Sequence, residues 1–164
     1  MDAFWFEENG AYMSAKRSIF PNGFDRVVSE IERHGLKFGL WFDINFIHAR
    51  MKGMEQYSTL LDSGALCFAC DEVAQMMRKA FLYHIEHHHV KMLKLDFAYF
   101  ECKNPAHRHS TQRTESKEKS VKNFLDIVAE IKQQYPDVIF LCYNGWTTDL
   151  KWIGNVARHE GLAI

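Results

Sequence analysis

Lys94 and Asp96 stand two residues apart in HVKMLKLDFAYFEC (89–102), a run that otherwise reads as a buried strand. Charged groups are costly in a core unless they are paired or used. The two-residue alternation of a strand puts both on one face. Asp2 and Asp43 lie at or near the ends of two further strand-like runs, and Asn144 sits just past another. Acids and a lysine converging on one rim suit a polyhydroxylated ligand. Trp5, Trp41, Phe97, Tyr99 and Trp146, near the same ends, would supply flat apolar surfaces for sugar rings. The residues alone leave open a structural ion pair in a polar interior and a plain aromatic core.

Two other clusters have metal-ligating residue types. Cys67 and Cys70 form a CxxC, while Cys102 and Cys142 stand alone. A zinc site usually needs a second pair of Cys or His at matching spacing. The four cysteines are therefore read as free, mostly buried thiols. His84 and His88 in HIEHHHV (84–90) are spaced i, i+4, which can chelate a metal. They are read instead as the basic end of a helix, favoured by its dipole. His107 and His109 fall in a polar loop and are read as solvated. No metal and no cofactor is expected.

The elements that must position these residues alternate in type. KFGLWFDI (37–44), ALCFA (65–69), VKMLKLDF (90–97) and DVIFLCY (137–143) read as strands, and MDAFWF (1–6) as the tail of another. Residues 23–35 carry Phe24, Val27, Val28 and Ile31 on one helical face, with Gly35 placed for a C-terminal cap. Residues 71–88 start with Asp71 in an N-cap position. Residues 117–135 repeat the helical pattern and stop before Pro136. The order β-α-β-β-α-β-α-β implies a parallel sheet covered by helices. The longest loops, about 45–62 and 98–116, follow strands, as on the active face of a (β/α) barrel. A doubly wound open sheet is the alternative, but no Gly-rich phosphate turn follows any strand. About five strands are present where a closed barrel needs eight, so the expected architecture is α/β, a partial (β/α)8 TIM barrel with about strands 1–5. Residues 1–164 form one incomplete catalytic domain in this reading, ending in or just after the fifth helix.

The bulk numbers narrow the function. The chain has 164 residues, 47% hydrophobic and 14% aromatic, which is enough for a domain with a core. The formal net charge of −1 gives no general attraction to nucleic acid or an anionic membrane. No apolar run approaches the roughly 18 residues of a membrane span. MDAFWFEENG lacks the basic region of a signal peptide, so a cytoplasmic location is expected unless the true start is missing.

Four blocks resemble the melibiase-type α-galactosidases, the retaining glycoside hydrolases of families 36 and 27. FPNGFDRVVSEIERHGLKFGLWFDI (20–44) is similar to their FP-x-G … G-L-K-x-G-L-W-F block. MDAFWF resembles the end of their first strand, VKMLKLDF their Y-x-K-x-D strand, and YPDVIFLCYNGW the strand with a Cys-containing turn at the sugar. The order and spacing of the blocks match over nearly the whole chain. The resemblance implies that Asp96 is the nucleophile, attacking the anomeric carbon to give a glycosyl-enzyme. It implies that Lys94 binds sugar hydroxyls and keeps Asp96 ionised. Asp2 would accept hydrogen bonds from hydroxyls across the ring, Trp5 and Trp41 would border the pocket, and Cys142 and Asn144 would lie near the 2-hydroxyl. The first block reads Asp-Ala-Phe-Trp where the family has Asp-Asp-Gly-Trp, and CYNGWTTD replaces a glycine-rich turn. The acid/base aspartate of the family comes from a sixth strand, beyond residue 164. Asp149 occupies the place of a different aspartate.

The expectation is therefore a fragment of a retaining hydrolase of α-galactosides or related α-glycosides, inactive alone. Its partner would be an oligosaccharide or glycoside. Two alternatives are a non-catalytic sugar-binding half-barrel that covers its open edges as a homo-oligomer, and a metal-dependent hydrolase using the histidines.

Overall fold

The computed structural model describes residues 1–7, 12–45, 55–107, 109, 112–143 and 162–163. The elements in chain order are α1 (Asp25–Arg33), β1 (Gly39–Asp43), β2 (Leu61–Asp62), β3 (Ala65–Leu66), α2 (Asp71–His88), β4 (Met92–Asp96), α3 (Arg113–Gln134), β5 (Ile139–Cys142) and β6 (Leu162–Ala163). A turn of 3-10 helix, Glu55–Leu60, precedes β2.

Four strands form a sheet in the order β1-β4-β5-β6, and every pairing in it is parallel. The register sets Trp41 beside Lys94 and Asp43 beside Asp96. Leu93 faces Phe140, and Leu95 faces Cys142. Paired residues of neighbouring strands share a face, so one face carries Trp41, Asp43, Lys94, Asp96 and Leu141. The other carries Leu40, Phe42, Leu93, Leu95, Phe140 and Cys142. Gly39 fits where a Cβ would stand 3.0 Å from the Cβ of Met92, so a side chain there would push β1 off β4.

The helices pack on the second face. Phe42 meets Phe81 of α2 at 5.1 Å between ring centroids. Phe140 meets Phe81 and Phe124 of α3, each at 6.5 Å. Phe24, the residue before α1, joins them through Phe38 at 5.5 Å and His84 at 6.1 Å. The ends of α1 follow from its sequence. Gly35, at φ 69°, sits in the left-handed region, and the amides of Gly35 and Leu36 donate to the carbonyls of Glu32 and Ile31. That pair of bonds satisfies the last carbonyls of the helix.

Three expectations need correction. ALCFA does not join the parallel sheet: Ala65–Leu66 pairs antiparallel with Leu61–Asp62. Ser63 and Gly64, both at positive φ, make the two-residue turn between them, and this short hairpin leaves β1 and β4 directly adjacent. MDAFWF is strand-like only at Met1, whose nitrogen donates to Gly39 O and whose carbonyl accepts from Trp41 N on the outer edge of β1. Beyond it, Phe4 turns the chain at φ 68° and Phe6 forms an isolated antiparallel bridge with Ala15. Finally, residues 162–163 form a further strand, parallel on β5, which the predicted order does not include; the expected fifth helix lies outside the described residues. Among the described residues, no helix is long and apolar enough to cross a membrane.

Candidate functional site

Asp96 ends β4 on the face turned away from the helices, and it is 6% exposed. Its Oδ2 accepts from the indole Nε1 of Trp41 at 3.1 Å, and its Oδ1 accepts from the backbone N of Phe97 at 3.0 Å. Donors on both oxygens fix the carboxylate plane. Phe97, which donates one of these bonds, adopts the left-handed region at φ 51°. That conformation costs a non-glycine residue about 1–3 kcal/mol, and such strain collects at functional sites.

Lys94 shares this face, but its ammonium binds Asp2 Oδ2 at 3.0 Å. The Trp41 and Phe97 N–H groups hold Asp96, and Lys94 holds Asp2. The Lys94 ammonium, then the Ala3 amide, keeps the Asp2 carboxyl below the usual carboxylate range. Both ends of the pair reach solvent, with side-chain exposures of 27% and 71%. Lys94 Nζ also lies 5.3 Å from the Tyr143 ring centroid.

Asp2, Trp41, Lys94 and Asp96 are therefore brought together. Trp5 and Cys142 are not. Trp5 is 1% exposed, its indole donates to Trp41 O at 2.7 Å, and its ring is packed among Phe6, Tyr12, Phe24, Phe42 and His84. It has no face to offer a sugar. Cys142 pairs with Leu95, so period-two alternation aims it at the helices rather than at the Asp96 side. Burial raises its thiol above the ordinary range. Asn144, Trp146 and Asp149 lie outside the described residues.

Tyr143 and Asn45 were not singled out from the sequence, whereas Tyr99 and Asp43 were. Tyr143 lies two residues beyond Leu141, so alternation from Leu141 puts it on the Lys94 side. It is 60% exposed, and Tyr99 is 49% exposed. Asn45, fully buried, ties the end of β1 to the segment after β4. Its Nδ2 donates to Leu66 O at 2.7 Å and Tyr99 O at 2.6 Å, while its Oδ1 accepts from Tyr99 N at 2.9 Å. Its place two residues after Asp43 was the available signal. Asp43 is buried beside Asp96 in register, and its backbone N donates to the Tyr12 hydroxyl at 3.1 Å.

The histidine cluster of α2 is structural. His84 is buried, one ring nitrogen faces Tyr12 O, and the other lies 2.8 Å from His88 Nδ1. Burial brings its pKa down to about 4, so it is neutral in the folded chain near neutral pH. Its place on the helix-covered side, among Trp5, Phe24 and Phe42, fits packing rather than chemistry.

The fold has counterparts among solved structures. An α-galactosidase from Lactobacillus brevis superposes with a TM-score of 0.70 at 21% identity, over 87% of this chain and 22% of that one. A variant of a GH36 α-galactosidase from Geobacillus stearothermophilus, in complex with raffinose, gives 0.68 at 16% identity, over 88% and 23%. Another variant from that organism, in complex with stachyose, gives 0.67 at 16% identity, over 88% and 23%. The fold is that of part of a GH36 α-galactosidase. The chain spans less than a quarter of the solved chains it matches. No family model and no curated protein sequence matches it.

Proposed function

We propose that these 164 residues are the nucleophile-bearing portion of a retaining glycoside hydrolase barrel acting on α-galactosides or related α-glycosides. The observation that carries this is the Asp96 carboxylate, oriented by two N–H donors at the C-terminal end of a parallel strand. Active sites of (β/α) barrels are built at that end. The parallel order β1-β4-β5-β6, with α2 and α3 packed on one face, is what a barrel wall requires. Likeness to α-galactosidases solved with raffinose and stachyose supports the substrate class.

In this reading Asp96 forms an ester to the anomeric carbon while the glycosidic C–O bond breaks, and water then cleaves the ester. Trp41 and Phe97 keep the attacking carboxylate aimed. Asp2 and Lys94 present an acceptor and a donor to ring hydroxyls, and Tyr143 or Tyr99 offers an apolar face. Protonation of the leaving group falls to a second carboxyl, expected on a sixth strand outside this chain. The chain alone therefore lacks half of the acid/base machinery.

The test is direct. The purified 164-residue chain should give no measurable turnover of an aryl α-galactoside. The native product from its source cells should be longer than this chain, should hydrolyse that substrate, and should lose activity on Asp96→Asn. Ordinary turnover by the 164-residue chain would overturn the reading.

A further inference from the structure

Cys67 and Cys70 lie just before α2, and His107 and His109 lie in the segment between β4 and α3. One ligand atom from each of the four falls within 4.8 Å of all the others. Both cysteines and His107 are buried. A tetrahedral zinc, with Zn–S near 2.3 Å and Zn–N near 2.0 Å, spaces its ligand atoms about 3.3–3.8 Å apart. A contraction on the order of 1 Å would close the present group onto an ion. Cys67 Sγ already lies 3.1 Å from His109 Nε2.

We propose that Cys67, Cys70, His107 and His109 form a structural zinc site. The donor set fits that metal. Two thiolates and two imidazoles suit a borderline-soft ion without a geometric preference of its own. Two thiolates also cancel its double charge, so the buried site needs no further counter-ion. The surroundings orient the ligands as metal sites require. His107 Nε2 donates to Thr59 O at 2.9 Å, which leaves Nδ1 as the lone-pair donor. The backbone N of Cys70 donates to Cys67 O at 3.0 Å, which turns both sulfurs the same way. Cys102 lies beside the group, 3.1 Å from His107 Nδ1. Four protein ligands leave no open position, so the role is structural rather than catalytic.

The site joins two segments that are distant in sequence. The stretch from Phe97 to Gln112 contains no described helix or strand, yet it begins at Asp96. It is clasped to the hairpin by Lys103 N on Asp62 Oδ2 at 2.9 Å and by Asn104 Nδ2 on Leu61 O at 3.1 Å. Zinc would lock this clasp and, through it, the segment that carries Phe97 and Tyr99. Long segments without secondary structure in small domains commonly need such a staple.

The test is metal analysis of the 164-residue chain purified without chelator. The expected result is about one zinc per chain, absent from Cys67→Ser/Cys70→Ser and from His107→Ala/His109→Ala. If those variants fail to fold, cobalt titration of the unchanged chain decides. It should give thiolate-to-cobalt charge-transfer absorption with tetrahedral ligand-field bands, lost on adding one equivalent of zinc. Folded chain that takes up neither metal, cobalt bound without thiolate absorption (as at the His84–His89 end of α2), or a Cys67–Cys70 disulfide would each overturn the proposal. None of these readouts involves a glycoside, so their failure leaves the reading of Asp96 intact.

Discussion

The two faces of β4 are built from the same five residues and obey different rules. Leu93 and Leu95 look toward α2 and α3 and are fully buried. Lys94 and Asp96 look the other way. One is paired with exposed Asp2, and the other is held by Trp41 and Phe97. The helix side is a continuous aromatic and aliphatic packing, where each large side chain contributes roughly 1.5–3 kcal/mol by leaving water. The Asp96 side gives up that gain to hold charges in fixed geometry, with a strained Phe97 next to the carboxylate. Packing is concentrated on one face, and the charges to which the proposed function assigns chemistry lie on the other. Substitutions on the two faces should therefore fail in different ways.

The largest effect belongs to the chemical face. Asp96→Asn keeps the side-chain shape but can accept from only one of the two N–H donors, and in the proposed reading it removes the nucleophile. In that reading, glycoside turnover by the protein that carries this segment should fall by at least about a thousand-fold, with a far smaller effect on the melting temperature. Matched loss of activity and folding would erase the distinction between the faces.

Trp5→Ala is the counterpart on the packed face. It should cost about 3–5 kcal/mol in chemical denaturation, as a large-to-small change in a close-packed cluster. A cost under about 1 kcal/mol would mean the cluster around Trp5 is not the core it is described to be.

His84 sharpens the contrast through pH. Its folded pKa of about 4 lies below the ordinary 6.5, so the unfolded chain binds the proton first. Its contribution is complete above pH 6.5 and is lost as the pH falls toward 4. The slope from this residue is about 1.4 kcal/mol per pH unit. Unfolding free energies measured at successive pH values should show the loss, and His84→Gln should reduce the slope. An unchanged slope in that variant would remove His84 as its source.

The smallest effect is Asp2→Asn. The Lys94–Asp2 pair is solvated, so the change should cost under about 1 kcal/mol in stability. Since Lys94 holds the Asp2 carboxyl below the usual range, its contribution is present above the ordinary carboxylate pKa and fades as acid protonates it. Binding of an α-galactoside should weaken by more than stability does, as read by ligand-observed NMR. A large unfolding penalty would place Asp2 among the structural residues instead.

These faces also differ in how readable they are from sequence. Lys94 and Asp96 were legible because a charge inside an apolar strand run has few explanations, and parity fixes its face. The same parity rule, continued across strands, would have turned Cys142 toward the helices and Tyr143 toward Lys94. The register that carries parity from β4 to β5 is a tertiary fact, absent from the linear pattern. Trp5 illustrates the ambiguity of aromatics, since a ring near a strand end packs in a core as readily as it stacks on a sugar. ALCFA was misread because a five-residue apolar run suits either a sheet strand or a hairpin arm. The Ser63-Gly64 turn before it was the signal that separates them.

The cysteine and histidine group was illegible for a different reason. The CxxC had no second pair nearby, and its nearest imidazole belongs to a residue 42 positions away. His107, read as solvated, is 6% exposed, with its ring bonded to Thr59 O and lying against Cys102. Only the folding of the segment after β4 onto the hairpin brings the two halves together. By contrast, the α1 cap at Gly35 was fully local, and the sequence signal for it holds.

The central claim is that Asp96 is a nucleophile aimed from the face opposite the helices. It is tested most directly by a fluorinated α-galactosyl donor whose trinitrophenolate leaving group departs without protonation. Such a reagent needs no acid/base partner, so the 164-residue chain suffices. Intact mass and peptide mapping should find one glycosyl ester, on Asp96, and none in Asp96→Asn. A folded chain that forms no adduct, or an adduct on another carboxylate, would contradict the account.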